Sequence, residues 1–142
     1  MKYKVCIMAA GKGSRLSYAE NYNKALIPVG QKSTLSRILD KFPNDVEIII
    51  AVGYNAGFIA EFIKIAYPER KIMLVPVDPY EGTGSGPGYS LYACREDLQC
   101  PFVFTSADTI VLEAVPEPTY NWLGIAKADD PESYCMADLY NG

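Results

Sequence analysis

The chain has no histidine. That absence removes Ser-His-Asp triads, histidine general bases and histidine-held metals in one step. Its four cysteines, Cys6, Cys94, Cys100 and Cys135, include no C-x-x-C pair. Thiols scattered in this way argue against a zinc site and a disulfide framework, and predict a reduced, cytoplasmic protein. No apolar run approaches the roughly 20 residues of a membrane-spanning helix. The stretch M-K-Y-K-V-C-I-M lacks the long apolar segment and small-residue cleavage site of a secretion signal. The expectation is therefore a protein with no membrane partner. Disorder is excluded by composition, because 49% apolar residues suffice for a core.

What is present is one domain's worth of chain, 142 residues, with an uneven charge. The net charge is −4, yet residues 1–41 carry a balance of +6 and residues 42–142 one of −10. A basic front on an acidic chain suggests a local anion site, not a surface that coats nucleic acid.

Apolar patterning predicts alternating strands and helices. Val5 to Ala10 reads as a buried strand. Gly11 to Asn23 reads as a polar loop. Leu35, Ile38, Leu39 and Phe42 share one helix face, with Ser33 or Thr34 as N-cap. Val46 to Val52 is a strand apolar enough to be buried on both faces. Asn55 is placed to cap a second helix carrying Phe58, Ile59, Phe62, Ile63 and Ala66, which Pro68 stops. Ile72 to Val77 is a third strand. A glycine-dense turn, Gly82 to Gly88, leads to a weaker helix around Tyr89 to Cys94. Phe102 to Phe104 form a short strand that ends in T-S-A-D. Asn121 to Lys127 and Cys135 to Leu139 are candidates for two more strands. This alternation implies an α/β fold with a parallel sheet and helices on both faces. Ligands in such sheets sit at the carboxyl ends of the strands, where the first loop and Asp108 both belong. Tyr18, Tyr22, Tyr54, Tyr80, Tyr89 and Tyr92 fall near this rim, most of them as packing, and one is a candidate to stack on a base.

The first loop is the most informative segment. It reads Ala9-Ala10-Gly11-Lys12-Gly13-Ser14-Arg15-Leu16. A dinucleotide fingerprint needs glycine at position 16, which is leucine. A Walker A loop needs Ser or Thr directly after Gly-Lys, but Gly13 intervenes. Glycines at 11 and 13 let backbone N–H groups approach phosphate oxygens. Arg15 offers a fork for two phosphate oxygens, and Lys24 offers a point charge on a flexible stem. Asp108, after an apolar strand, suits Mg²⁺, which takes one or two protein carboxylates plus phosphate oxygens. Read blandly, the same residues make a glycine turn, two surface cations and an Asp that caps a turn.

Taken in order, Ala9 to Leu16, Lys24-Ala25-Leu26-Ile27-Pro28-Val29, Gly82-Thr83 and Ser106-Ala107-Asp108 resemble the NTP-transferase superfamily. That superfamily includes sugar-phosphate nucleotidylyltransferases and molybdenum-cofactor guanylyltransferase-like enzymes. The resemblance covers about residues 4–115. It implies a Rossmann-like three-layer sandwich of the nucleotide-diphospho-sugar transferase type, with a mostly parallel central sheet. It further implies an Mg²⁺-dependent nucleotidyltransferase that joins an NTP to a phosphorylated small-molecule acceptor, a sugar 1-phosphate above others. Arg15, Lys24 and Asp108 would be catalytic, with the metal on Asp108. Ala9, Ala10, Gly11, Lys12, Gly13, Ser14, Gly82 and Thr83 would bind nucleotide. Two departures stand out. The family usually has proline before the lysine, where this chain has Asn23. Many members use a second, later aspartate, and Asp129, Asp130 and Asp138 lack its context. The alternative is a nucleotide-binding or regulatory domain of the same fold without turnover. Residues 1–142 are expected to form a single nucleotidyltransferase domain, incomplete at its C-terminal, acceptor-binding side.

Overall fold

The computed structural model describes residues 2–13, 21–130, 132 and 137. In chain order it contains β1 (Lys4–Ala9), β2 (Pro28–Val29), β3 (Lys32–Ser33), α1 (Thr34–Leu39), β4 (Glu47–Val52), α2 (Ala56–Ala66), β5 (Ile72–Pro76), α3 (Pro87–Ala93) and β6 (Phe102–Ser106). Single turns of 3₁₀ helix cover Lys24–Leu26 and Arg95–Asp97.

Strand alternation explains the layers. Val5, Ile7 and Ala9 of β1 join Ile48, Ile50 and Val52 of β4 in one cluster, against Leu35, Ile38 and Leu39 of α1 and Ile59 of α2. Cys6, Met8 and Ala10 join Ile49 and Ala51 on the opposite face, against Cys94 and Leu98. Both faces of β1 and β4 are therefore covered, as their unbroken apolar runs require. Ile48, Ile49 and Ile50 are fully buried. Each contributes roughly 1.5–3 kcal/mol of burial, so three in succession make β4 an anchor of the sheet.

The four-stranded sheet has the order β5-β4-β1-β6, and every neighbouring pair is parallel. The chain steps from β1 to β4 and β5 on one side, then returns past β1 to β6 on the other. Connections diverge between the carboxyl ends of β1 and β6, which is where such sheets open a crevice for ligands. The expected three-layer α/β architecture is present.

Local chemistry accounts for most boundaries. The Ser33 hydroxyl accepts a hydrogen bond from the Ser36 N–H and caps α1. Asn55 occupies the N-cap of α2 in a left-handed conformation (φ 53°) and makes no side-chain cap bond. The Gly30-Gln31 turn joins β2 to β3, with Gly30 at φ +68° as a tight hairpin demands. This hairpin was not expected, because two-residue strands carry no periodicity.

The Cys6 and Cys94 thiols are buried and unbridged, and Cys100 is also free. The hydrogen bond with Cys94, followed by burial, pushes the Cys6 thiol up. From Ala107 to Asp130 the backbone is irregular. The expected strand over Asn121 to Lys127 does not form. Trp122 packs on the core, but Leu123 and Ile125 are exposed, and among the described residues no neighbouring strand supplies a hydrogen-bond ladder. A strand exists only through its partners, and local alternation does not create one. Most of the Cys135 to Leu139 segment lies outside the described residues. The Lys41 ammonium donates to the carbonyls of Leu112 and Glu113, fastening the segment after Asp108 to the end of α1.

Candidate functional site

The carboxyl ends of β1, β4 and β6 converge at one rim. β1 runs into Ala10 and Gly11, β4 into Gly53 and Tyr54, and β6 into Ala107 and Asp108. Backbone bonds lock these exits together. The Tyr54 N–H donates to the Ala10 carbonyl at 2.9 Å, and the Ala107 N–H to the Met8 carbonyl at 3.0 Å.

Gly53 makes this closure geometrically available. A Cβ at Gly53 would lie 2.6 Å from the Tyr80 Cβ and 2.7 Å from the Ala10 carbonyl oxygen. Replacing Gly53 by Ala therefore forces strand exits apart. We expect Gly53→Ala to cost about 2 kcal/mol. A fall in the urea midpoint at constant slope measures it; an unchanged midpoint contradicts the contact.

Lys24 reaches this rim from a short turn that its neighbour builds. Asn23 is buried, with its amide nitrogen donating to the carbonyls of Ala9 (3.2 Å) and Tyr54 (2.8 Å). Its side-chain oxygen accepts from the Ala25 N–H at 3.0 Å and caps the turn that holds Lys24. Asn23 has φ −79°, a value that proline also reaches. The departure from the family's proline thus keeps a proline-like backbone and adds three hydrogen bonds. Sequence reasoning missed this role, and its one signal was a polar residue standing in a proline's place.

The Lys24 ammonium donates to Asp108 Oδ2 at 2.7 Å. The Ser106 hydroxyl donates to Asp108 Oδ1. Burial pushes the Asp108 carboxyl up, but the hydrogen bonds from Lys24 and Ser106 outweigh it and hold the carboxyl below its ordinary value. Asp108 is therefore an ionised, half-exposed carboxylate at neutral pH.

The glycine loop and the Gly82 turn meet across the same rim. Lys12 Nζ lies 3.6 Å from Glu81 Oε2 and 5.6 Å from the centre of the Tyr54 ring. The Tyr54 and Tyr80 rings stand 6.2 Å apart. An exposed ion pair of this kind is worth at most about 1 kcal/mol, so Glu81 holds Lys12 only weakly. Gly13 (φ +69°) and Gly82 (φ +83°) both adopt conformations suited to glycine. Glu81 is the second residue that sequence reasoning passed over.

A glycine loop, a lysine and an aspartate in this order on a parallel sheet find a match among known families. Residues 5–119 fit the family model of the MobA-like NTP transferase domain. The chain belongs to that family. Curated relatives of this NTP-transferase chain include the bifunctional protein GlmU of Methanococcus vannielii, 28% identical over 137 residues. That match takes in 94% of this chain and 31% of the relative, so the chain spans about a third of its length. Among solved structures, the CTP:phosphocholine cytidylyltransferase of Streptococcus pneumoniae aligns with TM-score 0.67 and 31% identity. The alignment covers 85% of this chain and 51% of the other. A Bacillus anthracis protein assigned as a glucose-1-phosphate thymidylyltransferase aligns with TM-score 0.62 at 20% identity, over 79% and 46% of the two chains. That likeness extends to the nucleotide-diphospho-sugar transferase fold alone.

Within this NTP-transferase frame the structure gathers Ala9, Ala10, Gly11, Lys12, Gly13, Lys24 and Asp108 at one rim, with Lys12 linking them to the segment before Gly82 and Thr83. Ser14 and Arg15 lie outside the described residues. Two recesses lie elsewhere, about 370 Å³ between α3 and β6 and about 630 Å³ along α1, and neither is lined by Lys24 or Asp108.

The donor set at Asp108 suits Mg²⁺ of the nucleotide-borne kind. One ionised carboxylate and one hydroxyl stand together, open to solvent on one side. Among the described residues no group of three or more acidic or cysteine side chains is placed to hold a metal alone. A hard cation held by one carboxylate needs phosphate oxygens and water for its remaining positions. Among the same residues no helix is long and apolar enough to cross a membrane.

Proposed function

We propose that residues 1–142 form a nucleotidyltransferase domain that transfers a nucleotidyl group from an NTP to a phosphorylated small molecule, releasing pyrophosphate. A sugar 1-phosphate is the first acceptor to test. The observation that carries this reading is the 2.7 Å pairing of Lys24 with Asp108 beside the glycine loop, in a chain of the NTP-transferase family.

The reaction fits a chain without histidine. An acceptor phosphate is already ionised, so its oxygen attacks the α-phosphorus with no proton to remove. A new P–O bond forms, the bond from the α-phosphorus to the bridging oxygen breaks, and pyrophosphate leaves with that electron pair. The backbone around Gly11 and Gly13 receives the phosphates, and Arg15 is assigned a fork on the same group. Lys24 meets charge that develops at the α-phosphate. Asp108, beside Ser106, would hold Mg²⁺, which supplies charge neutralisation on the polyphosphate when bound.

A second acceptor is favoured by one comparison. The 31% identity to a phosphocholine cytidylyltransferase supports a phosphocholine-like acceptor. Both acceptors are phosphomonoesters and make the same demand on the rim. A pyrophosphate-release screen of ATP, CTP, GTP and UTP against sugar 1-phosphates and phosphocholine separates them. Turnover is expected for one pair. NTP binding without release in any pair would instead identify a nucleotide-binding domain without turnover.

Lys24→Met should lower kcat/KM for the active pair about 10²-fold. Steady-state kinetics measure it, and a change below threefold removes Lys24 from the chemistry.

A further inference from the structure

We propose that Lys24 holds the metal's place on Asp108 in the nucleotide-free protein, bars a bare divalent cation, and yields when metal and triphosphate arrive together. This rests on the reading of Asp108 as the metal-holding residue.

Both carboxylate oxygens of Asp108 are engaged, Oδ2 by the Lys24 ammonium and Oδ1 by the Ser106 hydroxyl. The two partners differ in what they oppose. A neutral hydroxyl turns aside and can even offer its oxygen to a cation. An ammonium at 2.7 Å repels one and must leave first. A bare cation gains little in exchange, because the described residues bring no cluster of further acidic ligands. Mg²⁺ prefers six oxygens, and a lone carboxylate supplies one or two.

A triphosphate changes both sides of the exchange. Its oxygens complete the metal's shell, and its negative charge gives the displaced ammonium a new partner. The path is short. The Lys24 stem lies along the glycine loop, with its Cδ 3.2 Å from where a Gly13 Cβ would sit. The ammonium therefore swings from Asp108 toward the phosphate loop while its stem keeps its bed. Gly13, which lacks a Cβ and holds φ +69°, leaves room for that stem.

The test is Mn²⁺ binding, read from the electron paramagnetic resonance signal of free Mn²⁺, which does not depend on turnover. Wild type, Lys24→Met, Lys24→Gln, Asp108→Asn and the double variant Lys24→Met/Asp108→Asn are titrated alone and with ATP, CTP, GTP or UTP. Circular dichroism verifies the fold of each. Without nucleotide, both Lys24 variants should bind Mn²⁺ at least about tenfold tighter than wild type, and the double variant should lose the gain. Equal Mn²⁺ affinity in wild type and Lys24 variants, with Asp108→Asn still losing Mn²⁺ when nucleotide is present, overturns the place-holding role and leaves the reading of Asp108 intact. An Asp108→Asn protein that takes up Mn²⁺ with nucleotide as wild type does removes the metal site itself, and the place-holding role with it.

Discussion

Replacing Asp108 by asparagine should lower Mg²⁺-dependent pyrophosphate release about 10³-fold. The substitution keeps the shape of the side chain and removes only its charge. The fold should therefore survive, because the Asp108 carboxylate is half-exposed and its pairing contributes little to stability. Function is a different matter. The carboxylate is the one acidic group at the meeting point of β1 and β6 that Lys24 and Ser106 both address. On the proposed reading, its loss takes the carboxylate from the metal and the alignment with the acceptor from the triphosphate. The measurement is single-turnover pyrophosphate release at saturating Mg²⁺, with circular dichroism to verify folding. An unaffected rate removes Asp108 from the mechanism.

The largest stability effect is expected one residue before Lys24. Asn23→Ala deletes two donors and one acceptor from a site that is 1% exposed. The carbonyls of Ala9 and Tyr54 and the N–H of Ala25 then lose these bonds at a buried position. A buried group left unsatisfied costs about 1–3 kcal/mol, so the sum is about 4 kcal/mol. That is a large fraction of the roughly 5–15 kcal/mol by which a domain is stable. Urea denaturation should show a lower midpoint with an unchanged slope. Asn23→Pro is the informative companion. It accepts the observed φ of −79° but restores none of the bonds, so it should fall between wild type and alanine. A proline variant as stable as wild type would mean that backbone shape, not the amide, holds the turn.

The strands and helices of the sheet were legible because burial on two faces leaves a strong mark. Isoleucines 48 to 50 can be nothing but core, and Leu35, Ile38 and Leu39 repeat at helical spacing. Residue type and order singled out Lys24 and Asp108, which the fold brings within 2.7 Å of each other. What stayed hidden depends on neighbours distant in sequence. The three bonds of Asn23 reach Ala9 and Tyr54, which only the folded sheet brings near. Glu81 gains meaning only from Lys12 across the rim. The segment over 121–127 alternates like a strand, yet Leu123 and Ile125 face outward because no edge receives them. Pairing belongs to the whole fold, and local pattern does not report it.

The sheet order also sets when the site comes into being. Lys24 and Asp108 are 84 residues apart, and among the described residues β6 pairs with β1 alone. Closing so long a loop is entropically costly, and non-local parallel pairing is slow. β1, β4 and β5 can associate while the chain is still being made, whereas β6 emerges after all three. Until it docks, the cation at Lys24 has no carboxylate to face. The pairing of Lys24 with Asp108 is thus coupled to the docking of β6: a partly folded chain can bury much of its core before the two side chains meet.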